Sequence, residues 1–288
     1  MDDTFNATYL TLAGFADLHK YRYVFFVIMF KIFIVIMCFN STIVCLIWSH
    51  KNLHEPMYIF IAALLLNSIL YSTNIYPKLL LDILSEKGTI TYPLCLLQSF
   101  IYYTLGGSEF LLLAAMSYDR YVSICKPLQY PTIMKKATVS ALLVLAWLVP
   151  ACELAVSVVL YANIKVCIHT LAGIFCNNSI YSIQCVRSLA ISIYGVFLLL
   201  NLTILPLLFI LFTYSRILII SYRSCKSVRR KAAQTCLPHL LVLINFSCFA
   251  TSDIIIVRLE SDIAKVVRLI ISLQMMCITR SLIRSYMG

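Results

Sequence analysis

Seven long apolar segments, separated by short polar stretches, constrain this chain more than any other feature. A helix needs roughly 20 apolar residues to cross the hydrocarbon core of a bilayer, and six of the segments reach that length. With 61% hydrophobic and 12% charged residues, the chain has more apolar side chains than a soluble domain of 288 residues buries. The sequence therefore predicts an all-α membrane protein, a single seven-transmembrane helix bundle over 1–288, with helices at about 24–48, 57–80, 95–124, 138–161, 189–221, 236–257 and 263–285.

The seventh segment is short and atypical. Its apolar part, 263–278, has 16 residues and includes Lys265 and Arg268, which are costly to place in hydrocarbon. Extending this helix to 285 places Arg280 and Arg284 near one membrane face, where long basic side chains reach the interface.

The charges between the segments predict the orientation of the chain. One side carries Lys51, Lys126, Lys135, Lys136 and the cluster at 223–231 and has Glu55 as its only loop acid, whereas the other side carries most of the Asp and Glu. The positive-inside rule makes the first side cytoplasmic. We therefore expect a multi-pass plasma-membrane protein with an extracellular N-terminus, a glycosylation acceptor at Asn6, and a first segment that remains as a signal anchor.

The net charge of +11 is compatible with two kinds of partner. Nucleic acid is one, and anionic membrane lipid is the other. Because the basic residues flank apolar spans, we expect them to contact lipid headgroups and predict no nucleic-acid binding.

An adjacent acid and arginine, Asp119 and Arg120, stand where the third segment meets polar sequence. An arginine beside the hydrocarbon layer pairs with a neighbouring acid or faces the bundle interior, and its partners can change when helices move. The pair therefore predicts a two-state latch. In the alternative interpretation, Arg120 only extends to the lipid headgroups.

The residues around this pair form a longer motif. MSYDRYVSICKPLQY at 116–130 resembles the DRY region of rhodopsin-like (class A) G-protein-coupled receptors, and in detail that of olfactory receptors. Further matches follow the order expected for that family over roughly 38–245: LHEPMY at 53–58, YPK at 76–78, YSRIL at 214–218 and RKAAQTCLPHL at 230–240. An ordered set of motifs is far more specific than any one of them.

The resemblance implies a receptor that binds a small, partly hydrophobic odorant in the outer half of the bundle. It also implies that the cytoplasmic face activates a stimulatory, olfactory-type heterotrimeric G protein. The expected switch residues are Asp119, Arg120 and Tyr121, with Tyr214 as one partner for the released guanidinium. Family members bind ligands between helices three, five and six, and the matching positions are Tyr102, Tyr103, Gly106, Gly107, Tyr194, Leu198, Leu202, Ser247, Ala250, Thr251 and Ile254.

Neither a transporter nor an enzyme is indicated. A transporter is expected to show an internal repeat or two interrupted helices, and an intramembrane enzyme clustered histidines or paired acids on one face. Two acids inside the apolar segments, Glu153 and Asp253, would receive an amine if they face inward, or would be satisfied by neighbouring hydroxyl groups. We predict no catalysis, no cofactor and no metal site.

Four of the twelve cysteines lie on the predicted outer side, at 95, 167, 176 and 185, and four cysteines allow three pairings. The resemblance to olfactory receptors selects Cys95 with Cys176, and Cys167 with Cys185. The family also has a sodium pocket, whose matching residues here are Asn40, Ser68 and Glu109. Since Ser68 replaces a family aspartate, Glu109 is either part of an ion site or a hydrogen-bonded, protonated acid.

The C-terminal end departs from the family pattern. Olfactory receptors close with a PxxNPxxY-type seventh helix, whereas this chain has no proline after Pro238. The alternative function is therefore a non-signalling relative, decayed or truncated, without a functional seventh helix.

Overall fold

The structure, a computed structural model, describes residues 9–12, 21–50, 54–85, 88–162, 166–171, 173–177, 183, 185 and 188–222. Five helices within these ranges are long and apolar enough to cross a membrane. The predicted helices at 236–257 and 263–285 lie outside the described residues, as do Asn6, Asp253 and the cluster at 223–231.

Helices make up most of the described residues. They are α1 (Arg22–Ser49), α2 (Pro56–Leu84), α3 (Tyr92–Cys125), the one-turn helix α4 (Tyr130–Ile133), α5 (Lys136–Ala162), α6 (Leu189–Leu199) and α7 (Leu205–Tyr222). A 3₁₀ turn, Pro127–Gln129, precedes α4, and a π-helical turn, Leu200–Ile204, joins α6 to α7 in one continuous fifth span. Proline occupies the first turn of α2 and of α3, where a missing N–H costs no intrahelical hydrogen bond.

The bundle is organised around α3, which packs against α2, α5 and α7, while α1 packs against α2. Accordingly α3 is the most buried of the five spans. The outlying helices α1 and α5 expose many large apolar side chains, among them Phe39, Trp48, Val144 and Leu148. This distribution suits lipid as the surrounding solvent, because a helix in lipid gains nothing by hiding its apolar surface.

The two ends of the bundle differ in structure. The end at which α2 finishes and α3 begins, called here the disulfide end, carries both cystine bridges. The opposite end, at which α3 finishes and α5 begins, is called here the Arg120 end.

Besides the predicted helices, the structure contains a small β-sheet, which covers part of the disulfide end. Its strands are β1 (Tyr9–Leu12), β2 (Gly88–Thr91) and β3 (Thr170–Leu171), in the order β2-β1-β3. β1 is antiparallel to β2, with Tyr9 opposite Thr91, and parallel to β3, with Thr11 opposite Thr170. Leu10 and Leu12 are buried in the same cluster as the Cys95 and Cys176 side chains. Strands of four residues or fewer give too little alternation to be recognised in sequence.

Candidate functional site

At the Arg120 end, the Asp119 carboxylate is fully buried and both of its oxygens are bonded. Arg120 donates to Oδ2 from Nη2 at 2.9 Å and from Nε at 3.2 Å. The Tyr130 hydroxyl donates to Oδ1 at 2.8 Å. A buried charge is tolerated when it is paired and hydrogen-bonded, and this cluster of three residues meets that condition.

Tyr130 was not among the predicted switch residues, although it stands in the motif that contains them. The turn at Pro127–Gln129 reverses the chain after α3 and brings the start of α4 back against it. Burial, followed by the hydrogen bond to Asp119, raises the pKa of the Tyr130 hydroxyl. This hydroxyl is therefore a donor throughout the physiological pH range. The sequence indicates this bond only by placing Tyr130 eleven residues after Asp119 within the same motif. That spacing does not predict that the turn folds back onto α3.

The other two predicted switch residues lie in the same region. Tyr214, on α7, is buried in an apolar cluster with Met116 and Val122 of α3, and Tyr121 packs against that cluster. α7 therefore packs directly against α3 at the Arg120 end.

At the disulfide end, the loop between α5 and α6 is attached to α3 through Cys176. The structure contains the Cys95–Cys176 and Cys167–Cys185 disulfides. The Cys176 N–H also donates to Gln98 Oε1 at 3.1 Å, and the Ser99 hydroxyl donates to the Cys176 carbonyl at 3.1 Å. One covalent bond and two hydrogen bonds hold this part of the loop on the helix.

The attached loop brings Phe175 onto one of the predicted ligand-binding residues. The Tyr102 ring is buried and lies 5.1 Å from Phe175, 5.0 Å from Tyr71 of α2 and 4.9 Å from Tyr103, measured between ring centroids. These are ordinary separations for packed aromatic pairs. Tyr102 therefore has a packing role between α2, α3 and the loop.

The two predicted ligand-binding glycines have different surroundings. A Cβ atom added to Gly107 would lie 3.1 Å from Pro150 Cβ and 3.3 Å from Leu202 Cδ1, so three helices meet there. A Cβ added to Gly106 would meet none of the described side chains within 4 Å. Among the described residues, nothing approaches the Gly106 position, whereas Gly107 permits close packing of α3, α5 and the π turn.

The predicted residues of the fifth span lie on elements that pack against α5 and α3. The Tyr194 hydroxyl donates to the Glu153 backbone carbonyl at 2.7 Å, and Asn201, which was not predicted, donates from Nδ2 to Glu153 Oε1 at 2.9 Å. Leu198 is half-buried, and Leu202 is buried against the Gly107 position. The remaining predicted ligand-binding residues, Ser247, Ala250, Thr251 and Ile254, lie outside the described residues.

A buried polar network crosses the middle of the bundle near the predicted ion or polar site. Asn40 Nδ2 donates to the Ser68 hydroxyl at 3.2 Å, which joins α1 to α2. Asn67 donates to the Leu105 carbonyl at 3.0 Å and accepts from Trp147 Nε1 at 3.2 Å, so it joins α2, α3 and α5. Glu109 lies one turn beyond Leu105 on α3. Sequence reasoning selected Ser68 and missed its neighbour Asn67, which forms more of the interhelical bonds.

A family model described as "Olfactory receptor" matches residues 29–282. Human olfactory receptor 11A1 is 34% identical over 242 residues, covering 83% of this chain and 76% of the relative. Human olfactory receptor 10K1 is 35% identical, with 82% and 76% covered, and mouse olfactory receptor 4B13 is 31% identical, with 84% and 80% covered.

Proposed function

Because this chain belongs to the olfactory receptor family, we propose that it is an odorant receptor that activates a stimulatory heterotrimeric G protein. The family is one of multi-pass, seven-helix membrane proteins that sense odorants and signal as G-protein-coupled receptors, and it is not enzymatic. We further propose that the ligand binds in the disulfide half of the bundle, that the G protein is of the stimulatory type, and that the receptor lies in the plasma membrane with its N-terminus outside.

The observation that carries the proposal is the paired guanidinium at the Arg120 end. Asp119 is the partner of Arg120 in the ion pair that the described residues form at this end. The Tyr130 hydroxyl donates a hydrogen bond to the other oxygen of the Asp119 carboxylate. A hydrogen bond to a charged group contributes about 1.5–3 kcal/mol net. A ligand that binds the released state more tightly can shift the equilibrium between the paired and released states by a free energy of this size. Outward movement of the sixth helix would release Arg120 toward the Tyr214 hydroxyl or the carboxyl terminus of the G protein.

The disulfide half of the bundle suits a small, partly hydrophobic ligand. Leu198 is half-buried and supplies apolar surface, and the Tyr194 hydroxyl lies on the same side of the fifth span. No described side chain lies within 4 Å of a Cβ added to Gly106. The loop attached through Cys176 covers this end. Pockets of this kind, mostly apolar with a few polar groups, bind small molecules in one orientation.

The Arg120 end presents a surface suited to a protein partner. Leu128, at the tip of the turn after α3, is 95% exposed, and Lys126 stands beside it. We place this end in the cytoplasm and the N-terminus, with Asn6, outside the plasma membrane, since basic loop residues concentrate at the Arg120 end.

A cyclic-AMP reporter with an odorant panel tests this function. We expect at least one small odorant to raise cyclic AMP in cells that express the chain, and Arg120→Ala to abolish the rise at equal surface expression. Arg22→Ala is the matched control and should respond normally, since among the described residues Arg22, at the other end, bonds the exposed Tyr23 alone. A full response in Arg120→Ala would contradict the latch, and a response without the stimulatory α-subunit would contradict the G-protein type.

The C-terminal sequence supports one alternative, a relative that does not signal because its seventh helix does not function. The chain has no proline after Pro238 and no PxxNPxxY sequence. Replacing the segment from residue 263 with a PxxNPxxY-containing helix separates the two. A response that appears only after this replacement would support the alternative.

A further inference from the structure

Glu153 is an acidic side chain inside a span, on the side of α5 that faces the proposed ligand site. Asn201 donates to its Oε1 at 2.9 Å, and the Tyr194 hydroxyl donates to its backbone carbonyl at 2.7 Å. Tyr194, Leu198 and Asn201 are spaced i, i+4 and i+7, so they share one face of the fifth span. The face that supplies Tyr194 and Leu198 to the proposed site is therefore the face against which Glu153 packs.

The Glu153 residue lies close to the point at which α3, α5 and the π turn pack together. Pro150, one turn before Glu153 on α5, contacts the Gly107 position of α3, and so does Leu202, the residue after Asn201. A Cβ added to the neighbouring Gly106 meets no described side chain within 4 Å. Glu153 is thus about one helical turn from the three-helix contact at Gly107.

Asn201, which bonds Glu153, lies within the π-helical turn of the fifth span. Leu205 donates its N–H to the Leu200 carbonyl, five residues earlier, as in a π-helix. Pro206 follows immediately, and proline has no N–H to bond the carbonyl four residues before it. The wider turn changes the rotation of the helix at residues 200–204, and turns of this kind recur at functional sites.

The two carboxylate oxygens of Glu153 differ in their surroundings. Oε1 is bonded to Asn201, whereas Oε2 is buried and has no hydrogen-bond partner among the described residues. The two ion pairs formed within those residues, Lys78–Asp82 and Arg120–Asp119, do not involve Glu153. Lys136 is the basic residue of α5, and it lies more than four helical turns from Glu153 along that helix. Arg216 is the basic residue on the described part of α7, and it lies about four turns from Asn201.

We propose that Glu153 binds the ammonium group of the ligand, and that this receptor recognises small aliphatic amines. A protonated amine would donate to Oε2 and neutralise a carboxylate that is otherwise costly to bury. The alkyl chain would lie along Leu198 and Leu202, and Asn201 would hold the carboxylate in place through Oε1. This inference rests on the proposed function, because it names the ligand class of the same site.

Thermal unfolding of the purified full-length chain in detergent micelles tests the proposal without requiring a G protein. Butylamine, hexylamine and octylamine are titrated beside the alcohols of the same chain lengths. We expect the amines to raise the unfolding midpoint at concentrations roughly 30-fold or more below those of the alcohols, because a buried charge pair is lost in the alcohols. Equal potency of amines and alcohols, or no stabilisation by any amine, would overturn the proposal.

Glu153→Gln keeps the size of the side chain and removes its charge. We expect the amines to lose the same factor, roughly 30-fold or more, in this variant, and the alcohols to be unaffected. Glu55→Gln, at an exposed position at the other end of the bundle, is the matched control. Unchanged amine potency in Glu153→Gln would overturn the proposal. Since the amine–alcohol comparison uses the unsubstituted chain, it decides the question even if this variant does not fold.

The two proposals can fail separately. A chain that amines stabilise but that gives no cyclic-AMP response would contradict the signalling function and support the amine site. A chain that signals in response to alcohols or esters, and that amines do not stabilise, would support the signalling function and contradict the amine site.

Discussion

Asp119 shows how single residues determine the state of this molecule. Its carboxylate is fully buried, and its three hydrogen bonds come from Arg120 and Tyr130. Removing one partner leaves a buried acceptor oxygen unsatisfied, which costs more than the bond contributes. Any movement that frees Arg120 therefore has to provide replacement partners for both charges.

Tyr130→Phe removes one of these bonds and leaves the Asp119–Arg120 pair in place. We expect basal cyclic AMP to rise several-fold, because the lost bond to a charged group, about 1.5–3 kcal/mol, stabilises only the closed arrangement. The measurement is reporter activity without ligand, normalised to surface expression. Tyr23→Phe, at an exposed tyrosine of the opposite end, should have no effect. Unaltered basal activity in Tyr130→Phe would show that its hydroxyl does not hold the closed state.

The neighbouring glycines give a second prediction at this scale. Gly107→Ala should lower the unfolding free energy by about 1–3 kcal/mol, because the new methyl group would press on the rigid Pro150 ring. Gly106→Ala should leave folding unchanged and alter the concentration of ligand needed for half-maximal response. Thermal unfolding and the reporter assay measure the two effects. Equal destabilisation by the two substitutions would contradict the difference in their surroundings.

Among the elements, α3 and the loop that is bonded to it control the shape of the disulfide end. Phe175 reaches Tyr102 only because Cys176 is attached to α3 by its disulfide and by Gln98 and Ser99. The other disulfide, Cys167–Cys185, closes a ring within the same loop. The first bridge joins elements 81 residues apart and the second joins residues 18 apart.

The two bridges should therefore contribute unequally. In the chain-entropy description, closing the longer loop stabilises the fold by about 4.5 kcal/mol and the shorter by about 3 kcal/mol. We expect Cys95→Ser and Cys176→Ser each to abolish surface delivery, and Cys167→Ser or Cys185→Ser to reduce it less. Flow cytometry of an N-terminal tag on intact cells measures this. Normal delivery of Cys95→Ser would be incompatible with the long bridge as a structural requirement.

On the scale of the whole molecule, the described helices have an apolar outer surface, and the two ends of the bundle differ in structure. Its outlying helices expose large apolar side chains along their length, whereas the disulfide end carries the sheet and both bridges. Disulfides form and persist in oxidising compartments. Both features agree with a receptor whose disulfide end is outside the cell.

This orientation is directly measurable. A tag at the N-terminus should be labelled on intact cells, and one inserted after Lys126 only after permeabilisation, because the positive-inside rule places that turn in the cytoplasm. Asn6→Gln should remove one glycan, seen as a mobility shift. Labelling of the Lys126 tag on intact cells would reverse the proposed topology.

The sequence by itself determined the five described spans and the most informative pair of charges. In lipid a helix satisfies its own backbone, so length and apolar content are sufficient to locate α1, α2, α3, α5 and the fifth span. Asp119 and Arg120 are adjacent in the chain, so their pairing requires no knowledge of the fold. The motifs around them also identified the family to which the chain belongs.

Only the tertiary structure decided which distant residues meet. Glu153 and Asn201 are 48 residues apart, Asn67 and Trp147 are 80 apart, and β1 pairs with β2 and with β3 from two different loops. Tyr130 reaches Asp119 because a turn folds back, and Gly107 differs from Gly106 because Pro150 and Leu202 approach it. These contacts depend on how each helix is rotated about its axis and on the path of each loop, and both are set by packing across the bundle rather than by any local pattern.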